Sequence, residues 1–188
     1  MSIEELIEGC KNGDALCHEK LVRHFAPKLI AICRRYTKDT EIANDALQET
    51  FINVFKYIKN FEGKGSFEGW MKRIAVNCSI SYQKKYFKTY YSDNLLEDDI
   101  QNSQVPDVYS QLGVEDIMKL IERLPKSLYV VFNMYVVEGF SHKEIGDILD
   151  ISEGTSRASL SRARAKLIEY IEEKKTQEYS LMSNLKFA

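Results

Sequence analysis

Apolar residues recur every three or four positions through most of the chain, which is the period of an amphipathic helix. The pattern predicts a short helix over residues 2–10, opened by a Ser2/Glu5 capping box, and a helix from Asp14 that meets Pro27, with a further helical run beyond it. Residues 41–59 carry the most regular pattern of the first half, because their apolar side chains fall within about 100° of arc. These core side chains are Leu47, Phe51, Val54, Phe55 and Ile58.

The second half predicts two helices followed by a helical hairpin. A helix over residues 114–124 precedes Pro125, which opens the helix over residues 126–138. Within residues 140–167, a Ser141/Glu144 capping box begins one short helix, and residues 150–152 break the chain before a second helix. The buried side of that second helix is formed by Leu160, Ala163, Leu167 and Ile171.

Non-periodic stretches divide these helices into domains. Residues 60–70 hold three glycines and predict a loop, residues 92–112 read as an extended linker, and residues 176–188 as a flexible tail. The expected fold is all-α, with an N-terminal domain over residues 1–91 and a helix-turn-helix domain over residues 113–175.

The exposed side of the hairpin's second helix has small residues near its start and basic residues beside them, which suits entry into a DNA major groove. Gly146, in the first helix, predicts a close crossing by the second helix. The alternative is an amphipathic hairpin with a solvated basic face. The residues placed on this side are Thr155, Ala158, Ser159, Arg162 and Lys166, with Arg157 and Arg164 on the flank.

Charge is distributed unevenly although the formal net charge is only -2. Residues 64–90 carry six basic residues against one acidic residue, whereas residues 93–122 carry eight acidic residues against one basic residue. Aromatic rings beside cations favour single-stranded nucleic acid or a flipped base, although Phe67 and Trp70 are equally suited to fixing the loop to the core. In the helix after the loop, the pattern places Tyr82 on the apolar side and Arg73 and Asn77 on another side.

Several classes of site have no counterpart in the sequence. The four cysteines and three histidines are not at metal-ligand spacing, and no catalytic motif or phosphate loop is present, so no catalytic residue, metal or cofactor is expected. No apolar run reaches the ~20 residues of a membrane span, and a cytoplasmic protein without membrane insertion is expected.

Three blocks in fixed order resemble the sigma-70 family of bacterial RNA polymerase sigma factors, of the short extracytoplasmic-function (ECF) group. They are DALQETF at residues 45–51, GWMKRIAVN at residues 69–77 and LPKSLYVV…SRARAKL at residues 124–167. The resemblance implies that core RNA polymerase, through the clamp helices of its largest subunit, and promoter DNA are partners. It also implies an anti-sigma factor that holds the protein inactive.

The resemblance assigns roles to three groups of residues. Polymerase contacts are assigned to Asp45, Gln48, Glu49 and Ile52. Capture of the melted -10 strand is assigned to Phe61, Ser66, Phe67, Arg73, Asn77 and Lys84. Recognition of the -35 element is assigned to Thr155, Arg157, Ala158, Ser159, Ser161 and Arg162. The sequence departs from the family at Ala158 and Ser159, where many relatives have a serine and a basic residue. A self-sufficient helix-turn-helix regulator is the alternative function.

Overall fold

The computed structural model describes residues 1–37, 39–83 and 113–185, with the side chains of residue 114 and of residues 177–185 left undescribed. The linker over residues 92–112 and Lys84 therefore lie outside the described residues. The described backbone forms helices and turns without a strand, which confirms the all-α prediction. The chain separates into two compact units, residues 1–87 and 88–188.

The described residues of the first unit form four α-helices: α1 (Ile3–Lys11), α2 (Ala15–Thr37), α3 (Thr40–Tyr57) and α4 (Phe67–Ser81). A 3-10 turn, Ile58–Asn60, follows α3. Helices α2, α3 and α4 pack against one another, and α1 packs on α2. Their shared core includes Leu21, Leu29, Val54 and Met71, each fully buried. Burial of such side chains contributes roughly 1.5–3 kcal/mol each, so this core stabilises the arrangement of the outer faces.

Local signals in the sequence explain where these helices begin. The Ser2 hydroxyl accepts the Glu5 N–H at 3.1 Å and the Glu5 carboxylate accepts the Ser2 N–H at 2.7 Å, which confirms the first capping box. The Asp14 carboxylate accepts the N–H groups of Leu16 and Cys17 at the start of α2. Pro27 lies inside α2, which remains one helix of 23 residues. Because Pro27 is exposed, water can satisfy the carbonyl that its missing N–H leaves unpaired.

The second unit is built around a long helix. Its α-helices are α5 (Val114–Glu122), α6 (Lys126–Phe132), α7 (His142–Leu149) and α8 (Glu153–Leu185). Helices α5, α6 and α7 all pack against α8. Val130, Met134, Ile145, Leu149 and Ala163 form the centre of the core.

Two features of this unit differ from the sequence prediction. The helix expected over residues 126–138 changes to π-helix at Asn133–Val137, where the Glu138 N–H donates to the Asn133 carbonyl. The buried Asn133 side chain also donates to the Tyr129 carbonyl at 2.8 Å, in the turn where the helix widens. Helix α8 runs ten residues past Lys175, whereas the sequence predicted no stable pattern there. Residues 176–185 contain no glycine or proline to end the helix, and flexibility of this tail stays a prediction.

Candidate nucleic-acid and protein interfaces

The outer face of α3 presents a mixed polar and apolar surface. Phe51 and Val54 point into the core, whereas Asp45, Gln48 and Ile52 are exposed and Glu49 is half-buried. Ile52 is 65% exposed, and its apolar side chain stands among charged neighbours. Leu47 and Phe55 are half-buried, and the buried side of α3 extends beyond the predicted arc to Ala43, Ala46 and Thr50. The structure thus leaves the predicted contact residues on one accessible face.

Tyr82 belongs to this outer surface, and its predicted place in the core is wrong. It is 46% exposed and follows the last residue of α4, where the helical period no longer directs side chains inward. Desolvation raises the pKa of the Tyr82 phenol, and the nearby carboxylates of Glu49 and Asp45 raise it further. The phenol therefore stays protonated beside the carboxylate of Glu49.

A glycine-containing loop, residues 61–66, connects α3 to α4. Gly63 and Gly65 have φ angles of 76° and 99°, a region that side chains disfavour. Ser66 ends the loop by accepting the Gly69 N–H at 3.0 Å, so α4 starts at Phe67, three residues earlier than Trp70, its predicted start. The Ser66 hydroxyl therefore stabilises the start of α4 in the free protein.

Three aromatic rings form a cluster at this loop. Phe67 lies 5.1 Å from Phe61 and 5.5 Å from Trp70 between ring centroids, and it also contacts Phe25 of the core. Phe67 is 5% exposed, whereas Phe61 and Trp70 are half-buried. In this conformation Phe67 anchors the loop to the core, which was one of the two readings of the sequence. Base stacking by Phe67 requires the loop to rearrange.

The outward side of α4 carries Arg73 and Asn77, one turn apart and both exposed. Met71, Ala75 and Cys78 lie on the buried side, with Met71 and Ala75 fully buried. Together with Phe61 and Trp70 at the loop, this side offers a cation, an amide and two partly accessible rings. Such groups can bind phosphates, base edges and base faces of an unpaired strand.

The hairpin of the second unit is formed by α7, α8 and the turn between them. Ser141 and Glu144 form the predicted capping box, with distances of 3.3 and 2.8 Å between the paired atoms. Asp150 ends α7 in the left-handed conformation, with φ 59° and ψ 48°. The Ser152 hydroxyl then accepts the Thr155 N–H at 2.9 Å and caps α8. The predicted capping box and the predicted break at residues 150–152 are therefore both present.

Gly146 permits a close approach, although its neighbour is the turn backbone and the first residue of α8. A Cβ at this position would lie 2.8 Å from the Ile151 carbonyl oxygen and 3.7 Å from the Glu153 nitrogen. Real Cβ atoms are not found at the shorter distance, so glycine is required for this turn geometry. The predicted close approach at Gly146 is present, but the turn backbone, and not the second helix as predicted, makes most of it.

Helix α8 buries the predicted side, since Leu160, Ala163, Leu167 and Ile171 are all at most 6% exposed. On the outer side Arg157 is exposed and forms an ion pair with Glu153. The remaining assigned residues that stay accessible are half-buried. They are Thr155, Ala158, Ser161 and Arg162.

Ser159 is the exception among the residues assigned to the -35 element. It is 3% exposed, so its predicted place on the outer side is wrong in this structure. Ser159 comes three residues after Ser156 and four before Ala163, both fully buried, and these spacings place it at the edge of the packed side. Small polar residues therefore extend the buried side of α8 beyond its aliphatic residues.

His142 is a hairpin residue that the sequence reading did not identify. Its Nδ1 lies 2.9 Å from the buried Ser156 hydroxyl of α8, and its ring stacks on Tyr135 with centroids 4.4 Å apart. Burial lowers the pKa of the imidazole, and the positive charge of Arg157 lowers it further. The ring thus joins α7, α8 and the π-helical segment in its neutral form.

Metal-binding and thiol chemistry have little support in the part of the chain that the structure describes. No group of three or more His, Cys, Asp or Glu side chains within metal-binding reach occurs there. All four cysteines are buried and free, and desolvation raises the pKa of the Cys10 thiol to about 11. None of the described helices is both long and apolar enough to cross a membrane.

Comparison with known families assigns each unit to a sigma-factor region. Residues 21–88 match the family model for Sigma-70 region 2, and residues 115–167 match the model for Sigma-70, region 4. Together the two matches cover more than half of the chain, in the order in which the structural units occur.

Individual relatives agree with these matches. The chain is 28% identical over 172 residues to the ECF RNA polymerase sigma-E factor of Haemophilus influenzae, covering 86% of this chain and 90% of the relative. It is 25% identical over 174 residues to the RNA polymerase sigma-H factor of Pseudomonas aeruginosa, covering 86% and 89% of the two chains. A solved structure of the sigma factor RpoE with the anti-sigma factor NepR from Bartonella quintana is 22% identical, with a TM-score of 0.49 over 82% of this chain and 96% of that chain.

Proposed function

The chain belongs to the ECF group of the sigma-70 family, whose members direct RNA polymerase to promoters, and on this premise we propose that its two units divide promoter recognition between them. The first unit binds polymerase and captures the melted -10 strand, and the second reads the -35 duplex. One observation supports this division of roles. The first unit exposes Arg73 and Asn77 beside an aromatic loop, whereas the second unit contains a helix-turn-helix.

Recognition of the -35 element falls to the accessible side of α8. Arg157 and Arg162 supply the cations, and Ala158 and Ser161 leave room for the helix to approach base edges. Ser159, being buried, contributes through packing instead of base contact. Since Arg157 pairs with Glu153 in the free protein, DNA binding would exchange that surface ion pair for a phosphate, at low cost.

Capture of the -10 strand falls to α4 and the glycine-containing loop. Arg73 binds a phosphate or base edge, Asn77 hydrogen bonds to an unpaired base, and Phe61 offers a partly accessible ring. Gly63 and Gly65 have positive φ angles and, lacking a Cβ, can adopt many backbone conformations, which would allow the loop to move. Movement of this loop would release Ser66 and Phe67 for the strand.

Polymerase docking falls to the outer face of α3, where Ile52 is the apolar centre and Asp45, Gln48 and Glu49 form the polar surround. This composition, an exposed aliphatic side chain with charged and amide neighbours, resembles the core and rim of a protein interface. The clamp helices of the largest polymerase subunit are the proposed partner.

In this proposed function the protein performs no covalent chemistry. It acts in the cytoplasm, where RNA polymerase and the chromosome are located. An anti-sigma factor that covers one or both units is a proposed further partner. A self-sufficient helix-turn-helix regulator is not favoured, because the first unit matches Sigma-70 region 2 in addition to the match of the helix-turn-helix unit to region 4.

Two substitutions test the division between the units. Arg162→Ala should lower holoenzyme affinity for a -35 duplex by roughly 5- to 100-fold, since one base contact contributes about 1–3 kcal/mol. Asn77→Ala should leave -35 duplex binding unchanged and weaken binding of a pre-melted -10 template. Fluorescence anisotropy with separate -35 duplex and -10 fork probes measures both. Equal loss on both probes in each variant would contradict the proposal.

A further inference from the structure

Helix α2 carries a basic face outside the surfaces assigned above. From residue 20 to residue 35 the chain contains no Asp or Glu, although its net charge is -2. At about 100° per residue, the basic side chains of this segment fall within one side of the helix. This α2 basic face consists of Lys20, Arg23, His24, Lys28, Arg34 and Arg35.

The structure leaves most of the α2 basic face accessible. Arg35 is half-buried and the other five residues are exposed, with the Arg23 side chain at 81% and the Lys28 side chain at 53%. The opposite side of α2 is packed, because Leu21, Phe25 and Leu29 are at most 3% exposed. At 1.5 Å per residue the face extends for about 22 Å, enough for several consecutive phosphates of a nucleic-acid strand.

Acidic neighbours neutralise only part of this face. Glu19 accepts from Arg23 at 2.8 Å, and Glu68 of α4 accepts from Lys28 at 2.7 Å and contacts Lys72 at 3.0 Å. Glu4 of α1 lines the same cavity as His24. Such accessible ion pairs contribute little to stability, so a polyanion can replace the carboxylates as the partner of these cations.

Two features make the α2 basic face continuous with the proposed strand-binding surface. His24 lines the same cavity, of about 540 Å³, as Phe61, Gly63 and Gly65 of the loop. The Lys28–Glu68–Lys72 ion pairs connect α2 to the first turns of α4, next to Arg73. A strand held at Arg73 and the loop therefore lies beside the cations of α2.

We propose that the α2 basic face binds the phosphates of the melted promoter strand beyond the bases captured at α4. The proposal rests on the proposed function and adds a second helix, α2, to a strand-binding surface formed by α4 and the glycine-containing loop. Arginine and lysine bind phosphates without reading sequence, because they displace counterions along the strand. The face would therefore contribute affinity that does not depend on promoter sequence, and it compensates for the near-neutral charge of the whole chain.

The test is the salt dependence of holoenzyme binding to a fork template with a pre-melted strand. Neutralising three cations together, as Lys20→Gln, Arg23→Gln and Lys28→Gln, should make the logarithmic salt slope shallower by about 0.7 for each phosphate that the variant no longer neutralises. The difference from wild type should vanish on a template whose strand ends directly after the captured bases. Lys119→Gln, exposed on α5, removes the same type of charge from the other unit and should change nothing.

The outcomes separate this inference from the proposed function. An unchanged slope in the triple variant, with a shallower slope in Arg73→Gln, would overturn the inference and leave the -10 surface intact. If neither variant changes the slope, the strand-capture proposal fails as well. If the triple variant binds core polymerase more weakly but keeps the wild-type salt slope, the α2 basic face binds protein. That result would also overturn the inference. Two single variants test the same inference without altering a described ion pair. Lys20→Gln should make the salt slope shallower, whereas Lys20→Arg keeps the charge and should keep the wild-type slope.

Discussion

His142 shows how one side chain joins three segments of the hairpin unit. It contacts Ser156 in α8 and Tyr135 in the π-helical segment while it belongs to the first turn of α7. Its pKa is lowered mainly by burial and also by Arg157 and Arg164, with Glu153 opposing them. The folded state therefore favours the neutral imidazole.

This lowered pKa predicts a pH dependence of stability. A folded pKa below the unfolded value of ~6.5 stabilises the protein above that pH, and the contribution is lost as the pH falls below it. His142→Phe keeps a ring against Tyr135 but cannot take up a proton, so it should lose less stability between pH 7.5 and pH 5.5 than wild type. Urea unfolding at both pH values measures the difference. An equal loss in the two proteins would assign the pH dependence to other groups.

Ser159 marks the limit of reading residue positions from a helical pattern. Small polar side chains such as Ser156 and Ser159 fit either the buried or the exposed side, and they are buried here because α8 packs against several segments. Leu160, Leu167 and Ile171 of the same helix were predicted correctly, since the burial of large aliphatic side chains follows from their chemistry. The borders of a helix face depend on its neighbours, which the local pattern does not contain.

At the scale of the elements, the α7–turn–α8 corner depends on the absence of one methyl group. Gly146→Ala would place a Cβ 2.8 Å from the Ile151 carbonyl oxygen, and both are held by backbone. Overpacking of this kind costs about 1–3 kcal/mol, so the variant should unfold at lower urea concentration and bind the -35 duplex more weakly.

Gly154→Ala is the matched control for that variant. A Cβ at residue 154 would meet only the Ser152 hydroxyl at 3.5 Å, an ordinary contact. Alanine is favoured over glycine by up to about 1 kcal/mol within a helix, so this variant should be unchanged or slightly more stable. Equal destabilisation by the two substitutions in urea unfolding would contradict the role assigned to the corner.

Helix α8 also makes contacts far from the hairpin. Arg123, which follows α5, lies over the Tyr170 ring at 4.1 Å and pairs with Glu173, and Lys174 pairs with Asp116 of α5 at 2.9 Å. These interactions lie beyond the end of the region 4 match at residue 167 and before residue 175, where the sequence predicts the end of the domain. Their partners are about 50 residues apart, so the local pattern could not predict them.

At the scale of the whole molecule, a net charge near zero is compatible with DNA binding because the cations are concentrated on particular faces. The sequence reading identified the basic segment after the glycine-containing loop but missed the α2 basic face. There the basic residues are spaced along a helix to which the sequence pattern assigned no binding role. The helices, their caps and the two-part fold were predicted from period and capping residues, whereas Phe67, Ser159 and the π-helical turn depend on tertiary packing.

The polymerase-binding face makes a prediction for the complete complex. Ile52→Ser should reduce affinity for core polymerase about tenfold or more, because burial of an isoleucine side chain contributes roughly 1.5–3 kcal/mol. Leu16→Ser is the control, since Leu16 is similarly exposed, at 56%, on another helix. Fluorescence anisotropy with labelled protein and unlabelled core enzyme gives both dissociation constants. Equal affinities for the two variants would remove Ile52 from the interface.

Run-off transcription tests the central claim most directly. Core polymerase is incubated with promoter templates from the genome that encodes this chain, with and without the purified protein. The account predicts defined transcripts only when the protein is present, and their loss when the -35 or the -10 element is scrambled. Strong promoter binding by the protein alone, with no transcript on any template after core polymerase is added, would contradict it.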